Sequence, residues 1–141
     1  KINDLKNDDI DISIIATNAD IRKNVTIYLL NKINVKNIIF EKIAFQSEND
    51  FEFVIGLLKE RGVKAWVNCP RRIYPFFKKI VNKTKKSQKF KLIIKGGNWG
   101  LASNTIHMLD LFAFLTGSDD FSIDINGLYD EIYQSKREGF I

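Results

Sequence analysis

Two side chains stand out as able to move protons: His107, the only histidine in 141 residues, and Lys42, which follows Glu41 at the end of an apolar, β-branched run. Histidine titrates near neutrality and is the usual general acid or base. A lysine beside a carboxylate and partly shielded from water can be tuned to hold or orient a reacting hydroxyl. His107 falls in the middle of Leu101–Leu115, a strongly apolar stretch of helical length. Positions three and four away share its face, and they hold Ser103, Asn104, Asp110 and Leu111. A histidine, an amide and a hydroxyl on one stripe of an apolar helix are costly to bury without partners. The stripe therefore reads either as a site or as a core histidine bonded to a carbonyl. A Ser103–His107 nucleophile pair lacks the Gly-x-Ser-x-Gly elbow around the serine. One histidine and one cysteine, Cys69, do not make a typical zinc set, so no metal is expected.

The elements that must position these groups follow from periodicity. Ile10–Ala16 begins by alternating and ends apolar, as a buried strand does. Thr17-Asn18-Ala19-Asp20 reads as a turn and helix cap, followed by Ile21, Val25, Tyr28, Leu29 and Lys32 at helical spacing. Val35–Phe40 is a second strand, ending in Glu41-Lys42. Ser47-Glu48-Asn49-Asp50 has the form of a helix start, with an acidic residue three after the serine. Phe51, Val54, Leu57 and Leu58 mark that helix's buried face, and Gly62 its stop. Val63–Val67 is a third strand, ending at Asn68. The order βαβαβ implies a parallel sheet with right-handed crossovers. Beyond it, Pro70 and Pro75 bracket an extended stretch, and Pro75 opens a helix carrying Phe76, Phe77, Ile80 and Val81. Lys89–Ile94 reads as a strand, Gly96-Gly97 as a break, Gly117 as the stop of the apolar helix, and Phe121–Ile125 as an alternating strand. In an open parallel sheet ligands bind outside the carboxyl ends of the strands. Here those ends carry Thr17-Asn18, Glu41-Lys42 and Asn68, a polar rim.

Composition narrows the classes further. Apolar residues make up 45 % of the chain and aromatics 12 %, which excludes a disordered segment. No apolar run approaches the ~20 residues of a membrane span, and no signal peptide opens the chain. With Cys69 alone no internal disulfide can form, in keeping with a cytoplasmic setting. The opening Lys1-Ile2-Asn3-Asp4 lacks an initiator methionine, as a piece of a longer protein would. Net charge is +5, unevenly spread: Arg61–Leu109 contains twelve Lys and Arg and no Asp or Glu. Eight lysines lie between Lys78 and Lys95. Such a block is a solvated face or an attraction for phosphate-bearing ligands. No nucleic-acid reading motif accompanies it, so nucleic acid is not the expected partner.

Taken together, Thr17-Asn18 after one strand and Glu41-Lys42 after the next resemble the glucose–fructose oxidoreductase/inositol dehydrogenase/MocA (Gfo/Idh/MocA) family. Arg71-Arg72-Ile73-Tyr74-Pro75 resembles that family's Arg-Arg-aromatic-x-Pro lead into the helix joining its two domains. Gly100–Asp110 resembles its catalytic helix. The resemblance runs from about Asp8 to Phe121. It implies an α/β fold: the second half of a Rossmann-like nucleotide-binding domain over residues 1–69, then over 70–141 a linking helix, the catalytic helix and the start of an α+β substrate domain. It also implies NAD or NADP as cofactor and a sugar or nucleotide-sugar substrate, in surface polysaccharide synthesis. A sheet cut at mid-domain exposes a strand edge and an apolar face, so a homo-oligomer is expected. By the same resemblance Lys42 and His107 are the catalytic pair with Asn104 and Ser103 beside them, while Thr17, Asn18, Glu41, Asn68, Arg72 and Trp99 face the cofactor.

Three departures from the pattern matter. Ile43 replaces the proline of Glu-Lys-Pro, which could redirect Lys42. Ser103 stands where an aspartate is usual, with Asn104 next to it. The first βαβ unit with its Gly-x-Gly-x-x-Gly turn, which holds a pyrophosphate at a helix N-terminus, is absent, and Gly96-Gly97-Asn98-Trp99-Gly100 lacks that spacing. The fragment alone is therefore expected to bind a dinucleotide weakly or not at all and to be inactive. Two other readings stay open: a non-catalytic binding or scaffold module derived from such an enzyme, and a basic nucleic-acid-binding domain using Lys78–Lys95.

Overall fold

A computed structural model describes residues 9–84, 89–97 and 100–131. Three parallel strands, β1 (Ile10–Ile15), β2 (Val35–Phe40) and β3 (Lys64–Val67), lie side by side in chain order. Helix α1 (Ala19–Lys32) joins the first two and α2 (Glu48–Glu60) the last two. The fold is thus α/β, with strands and helices alternating as the sequence implies. Ser47 caps α2, its hydroxyl accepting from the Asp50 N–H at 3.2 Å. Gly62, at φ 66°, takes the left-handed turn that ends the helix.

One cluster of apolar side chains holds this unit together. Ile15, Ile38 and Phe40 of the sheet meet Leu29 and Leu30 of α1 and Val54 and Leu58 of α2. Ile38 and Val54 are fully buried, each worth about 1.5–3 kcal/mol relative to exposure. The opposite sheet face is open. Ile14, Ile39 and Trp66 stand in register across the three strands, and Ile14 is 70 % exposed. A second, smaller cluster lies between α3 (Pro75–Thr84) and α4 (Leu101–Thr116). Val81, Leu111 and Leu115 are its buried centre, with Phe77, Ile80, Phe90 and Phe114 packed around them.

Four expectations are corrected. The buried stripe of α1 is Arg22, Thr26, Leu29 and Leu30, whereas Ile21 is exposed. Its polar members are buried because backbone carbonyls receive them: Thr26 donates to the Arg22 carbonyl at 2.7 Å, and Arg22 reaches further carbonyls described below. The stretch after Pro70 is a 3-10 turn, Pro70–Ile73, rather than extended, with the Tyr74 N–H donating to the Arg71 carbonyl at 3.2 Å. Residues 89–94 form no strand, and neither do 121–125. Alternation gives a strand only where another strand supplies its ladder. Here Phe90 and Phe121 instead rest against Phe112 of α4, at ring separations of 5.9 and 6.1 Å.

Candidate active site

The three strands end level with one another. The Glu41 N–H donates to the Ile15 carbonyl at 3.0 Å and the Asn68 N–H to the Phe40 carbonyl at 2.8 Å, so the ladder runs to the rim itself. Thr17, Glu41, Lys42 and Asn68 therefore project from a single edge, and Asn68 Nδ2 donates to Glu41 Oε2 at 2.9 Å. Asn18 occupies the cap position of α1, but its side chain makes no capping bond. The peptide bond between Lys42 and Ile43 is cis.

Helix α4 meets this edge. Lys42 Nζ donates to the Ser103 carbonyl at 3.1 Å, one helical turn ahead of His107. The start of α4 requires glycine: Gly100 sits at φ 64°, and a Cβ there would lie 2.9 Å from Ser103 Oγ. Ser103 Oγ and Asn104 Nδ2 both donate to the Gly100 carbonyl, at 3.2 and 3.3 Å. The 3-10 turn docks on the same helix. Arg72 grips Asp110 through Nη2 at 2.6 Å and Nε at 2.7 Å, and stacks over Phe114.

His107 is 8 % exposed, and its Nδ1 is buried with no hydrogen-bond partner among the described residues. Burial above all, then the Arg71 guanidinium and the Lys42 ammonium, hold the imidazole below its ordinary 6.5, against the opposite pull of Glu41 and Asp110. The ring is thus kept neutral, the form able to accept a proton. Burial, with Asp110, pushes the Cys69 thiol up, so that sulfur is no ready nucleophile at neutral pH. Thr17 Oγ1 and Asp110 Oδ2 are likewise buried without partners among the described residues.

Of the residues singled out in the sequence, the rim gathers Thr17, Glu41, Lys42 and Asn68, and α4 brings Ser103, Asn104 and His107 against it. Arg72 is placed differently from a free cofactor contact, since its guanidinium is engaged by Asp110. Trp99 lies outside the described residues. Sequence reasoning missed Arg22, whose side chain runs under the rim, and the signal was there: Arg22 shares a helical stripe with Thr26, Leu29 and Leu30. Among the described residues no group of acidic, histidine or cysteine side chains could hold a metal, and no helix is long and apolar enough to cross a membrane. A hollow at the other end of the sheet, by Asn34, Lys36 and Arg61, has its polar groups paired: Asn34 with Asp9, Lys36 with Asp11, Arg61 with Asn31 and the Leu30 carbonyl.

No protein-family model matches the sequence, and no curated protein does. Solved structures do. A dehydrogenase (MviM) from Clostridium difficile superposes with a TM-score of 0.59 at 18 % identity, over 77 % of this chain and 38 % of that one. A protein assigned as an oxidoreductase from Bacteroides fragilis gives 0.56 at 21 %, over 77 % and 34 %. A super-repressor mutant of Gal80p from Saccharomyces cerevisiae gives 0.56 at 18 %, over 77 % and 35 %. The chain spans little more than a third of the length of these structures, and at such identities the likeness is one of fold. Over its matched part, the chain has the fold of a Gfo/Idh/MocA-type dehydrogenase.

Proposed function

We propose that this chain is part of an NAD(P)-dependent oxidoreductase that transfers a hydride to or from a sugar or nucleotide-sugar. The observation that carries the reading is the meeting of Lys42 with α4 one turn from a buried, neutral histidine whose Nδ1 has no partner among the described residues. In the direction of oxidation, His107 takes the hydroxyl proton while the hydride leaves the same carbon. Lys42 donates to the hydroxyl oxygen and steadies it as it becomes a carbonyl. Asn104 and Ser103 bind neighbouring hydroxyls.

The rim suits a dinucleotide: Thr17 Oγ1 is a buried hydroxyl without a partner among the described residues, and the Glu41 carboxylate, oriented by Asn68, is a ready acceptor. Thr17, Asn18, Glu41 and Asn68 would hold it. When bound, the nicotinamide supplies or accepts the hydride. The test is turnover by the full protein on a panel of sugars and nucleotide-sugars, followed by cofactor absorbance. Lys42→Ala and His107→Ala should each lower kcat by roughly 10²–10⁴. Undiminished turnover in both variants would refute the assignment.

A second reading is favoured by the Gal80p likeness: a repressor shares this fold, so a binding module derived from an enzyme is open to this chain as well. Saturable binding of a dinucleotide or sugar with no cofactor reduction by any substrate would support it.

A further inference from the structure

Arg22 is 2 % exposed, yet it is a charged residue on a helix that otherwise buries apolar groups and a threonine. The two N–H groups of its Nη1 are shared among the Glu41 carbonyl at 2.6 Å, the Ala44 carbonyl at 3.0 Å and the Ile43 carbonyl. Its Nη2 donates to the Thr17 carbonyl. The four acceptors belong to two segments, the one leaving β1 and the one leaving β2. Three of them bracket Lys42, one before it and two after. Desolvation opposes the buried charge, and the Glu41 and Asp20 carboxylates favour it. Desolvation is the larger effect, so the carboxylates offset it only in part, and Arg22 Nε is buried without a partner among the described residues.

We propose that Arg22 is the positioning residue for Lys42: by gripping the carbonyls on both sides of the lysine and tying them to the end of β1, it aims the ammonium at α4. The chemistry of the side chain fits the task. A guanidinium presents several N–H donors in a rigid plane and no acceptor, so one group can serve carbonyls on two segments at once. An ammonium concentrates three donors at a point and cannot span the same acceptors. An apolar residue would fill the space and leave all four carbonyls without their donor. No other described side chain bonds the backbone on both sides of Lys42, so the direction of the lysine stem depends on a residue twenty positions earlier. That Lys42 then takes part in hydride-transfer chemistry rests on the reading above; that Arg22 aims it does not.

The experiment follows the aim directly. Lysines are ¹³C-methylated in the full protein, the Lys42 signal is assigned with Lys42→Arg, and contacts between its methyls and protons of Ser103 are read by nuclear Overhauser effect. Arg22→Met should abolish those contacts while Lys36 keeps its contact with Asp11 and amide exchange at Ile38 and Val54 stays slow. Arg22→Lys, which keeps charge and stem, should lose them too, and serves if the methionine variant fails to fold. Persistence of the Lys42 contacts in a folded variant overturns the proposal. So does their loss only together with core protection in both variants, because Arg22 would then hold the fold rather than the lysine. In a protein that turns over substrate, Arg22→Lys should cut kcat by about 10²-fold with little change in KM, the cost of misplacing a catalytic group by about 1 Å. If Lys42→Ala leaves turnover intact, the redox reading fails while the structural contacts still decide the role of Arg22.

Discussion

Acidification should unfold this protein earlier than its carboxylates alone would require, and His107 is the reason. The imidazole is 8 % exposed, has no partner at Nδ1 among the described residues, and feels the Arg71 and Lys42 cations, so its folded-state pKa lies below the 6.5 of the unfolded chain. A group depressed in this way contributes stability that is fully present above pH 6.5 and is lost as pH falls through the folded value. Between the two values the unfolded chain binds one more proton than the folded one, which sets a slope of at most about 1.4 kcal/mol per pH unit. The paired carboxylates act in the same direction but lower: Lys36 holds Asp11, and Lys23 holds Asp50, below the usual carboxylate range, so their loss belongs to more acid conditions. Urea unfolding at half-unit steps from pH 8 to pH 5, compared between the parent and His107→Gln, isolates the histidine. The parent should lose stability beginning just below pH 6.5, and the variant should be flat until the carboxylates titrate. Identical profiles, or a parent that gains stability on acidification in this window, would refute the burial and charge argument together.

Three further substitutions read the packing. Ile38→Ala, at a site with no exposure on the central strand, should cost about 2–5 kcal/mol in chemical denaturation. The glycines give opposite signs: Gly100→Ala, with its positive φ and a Cβ 2.9 Å from Ser103 Oγ, should destabilise by ~1–2 kcal/mol. Gly56→Ala, inside α2 with open space around it, should stabilise by about 0.5–1 kcal/mol, and melting temperatures moving the same way for both would defeat the comparison.

The βαβαβ core was legible in the sequence because each of its elements is defined by short-range pattern and closed by local signals, such as Ser47 at the start of α2 and Gly62 at its end. Residues 89–94 and 121–125 were misread for a physical reason: alternation describes a strand's faces, while the ladder depends on a neighbour the pattern does not name. Arg22 shares the helical stripe of Thr26, Leu29 and Leu30, which marks its face, but the four carbonyls that receive its guanidinium come from segments distant in sequence and have no signature among residue types. The rim was visible as polar strand ends. That α4 would meet it through the backbone of Ser103 was not, since a carbonyl acceptor has no signature among residue types.

The bond between Lys42 and Ser103 also has a place in time. It joins residues 61 positions apart, whereas each strand of the sheet pairs with the next one in the chain. During synthesis at about 5–20 residues per second, Ser103 is made ~3–12 s after Lys42, long enough for nearby strands and helices to settle first. The sheet with α1 and α2 can therefore close while the lysine still faces water, and the contact with α4 follows it. A ribosome paused before Leu101 would carry a formed rim without its helix, and folding followed on such stalled chains should show protection at Ile38 before any at Leu111.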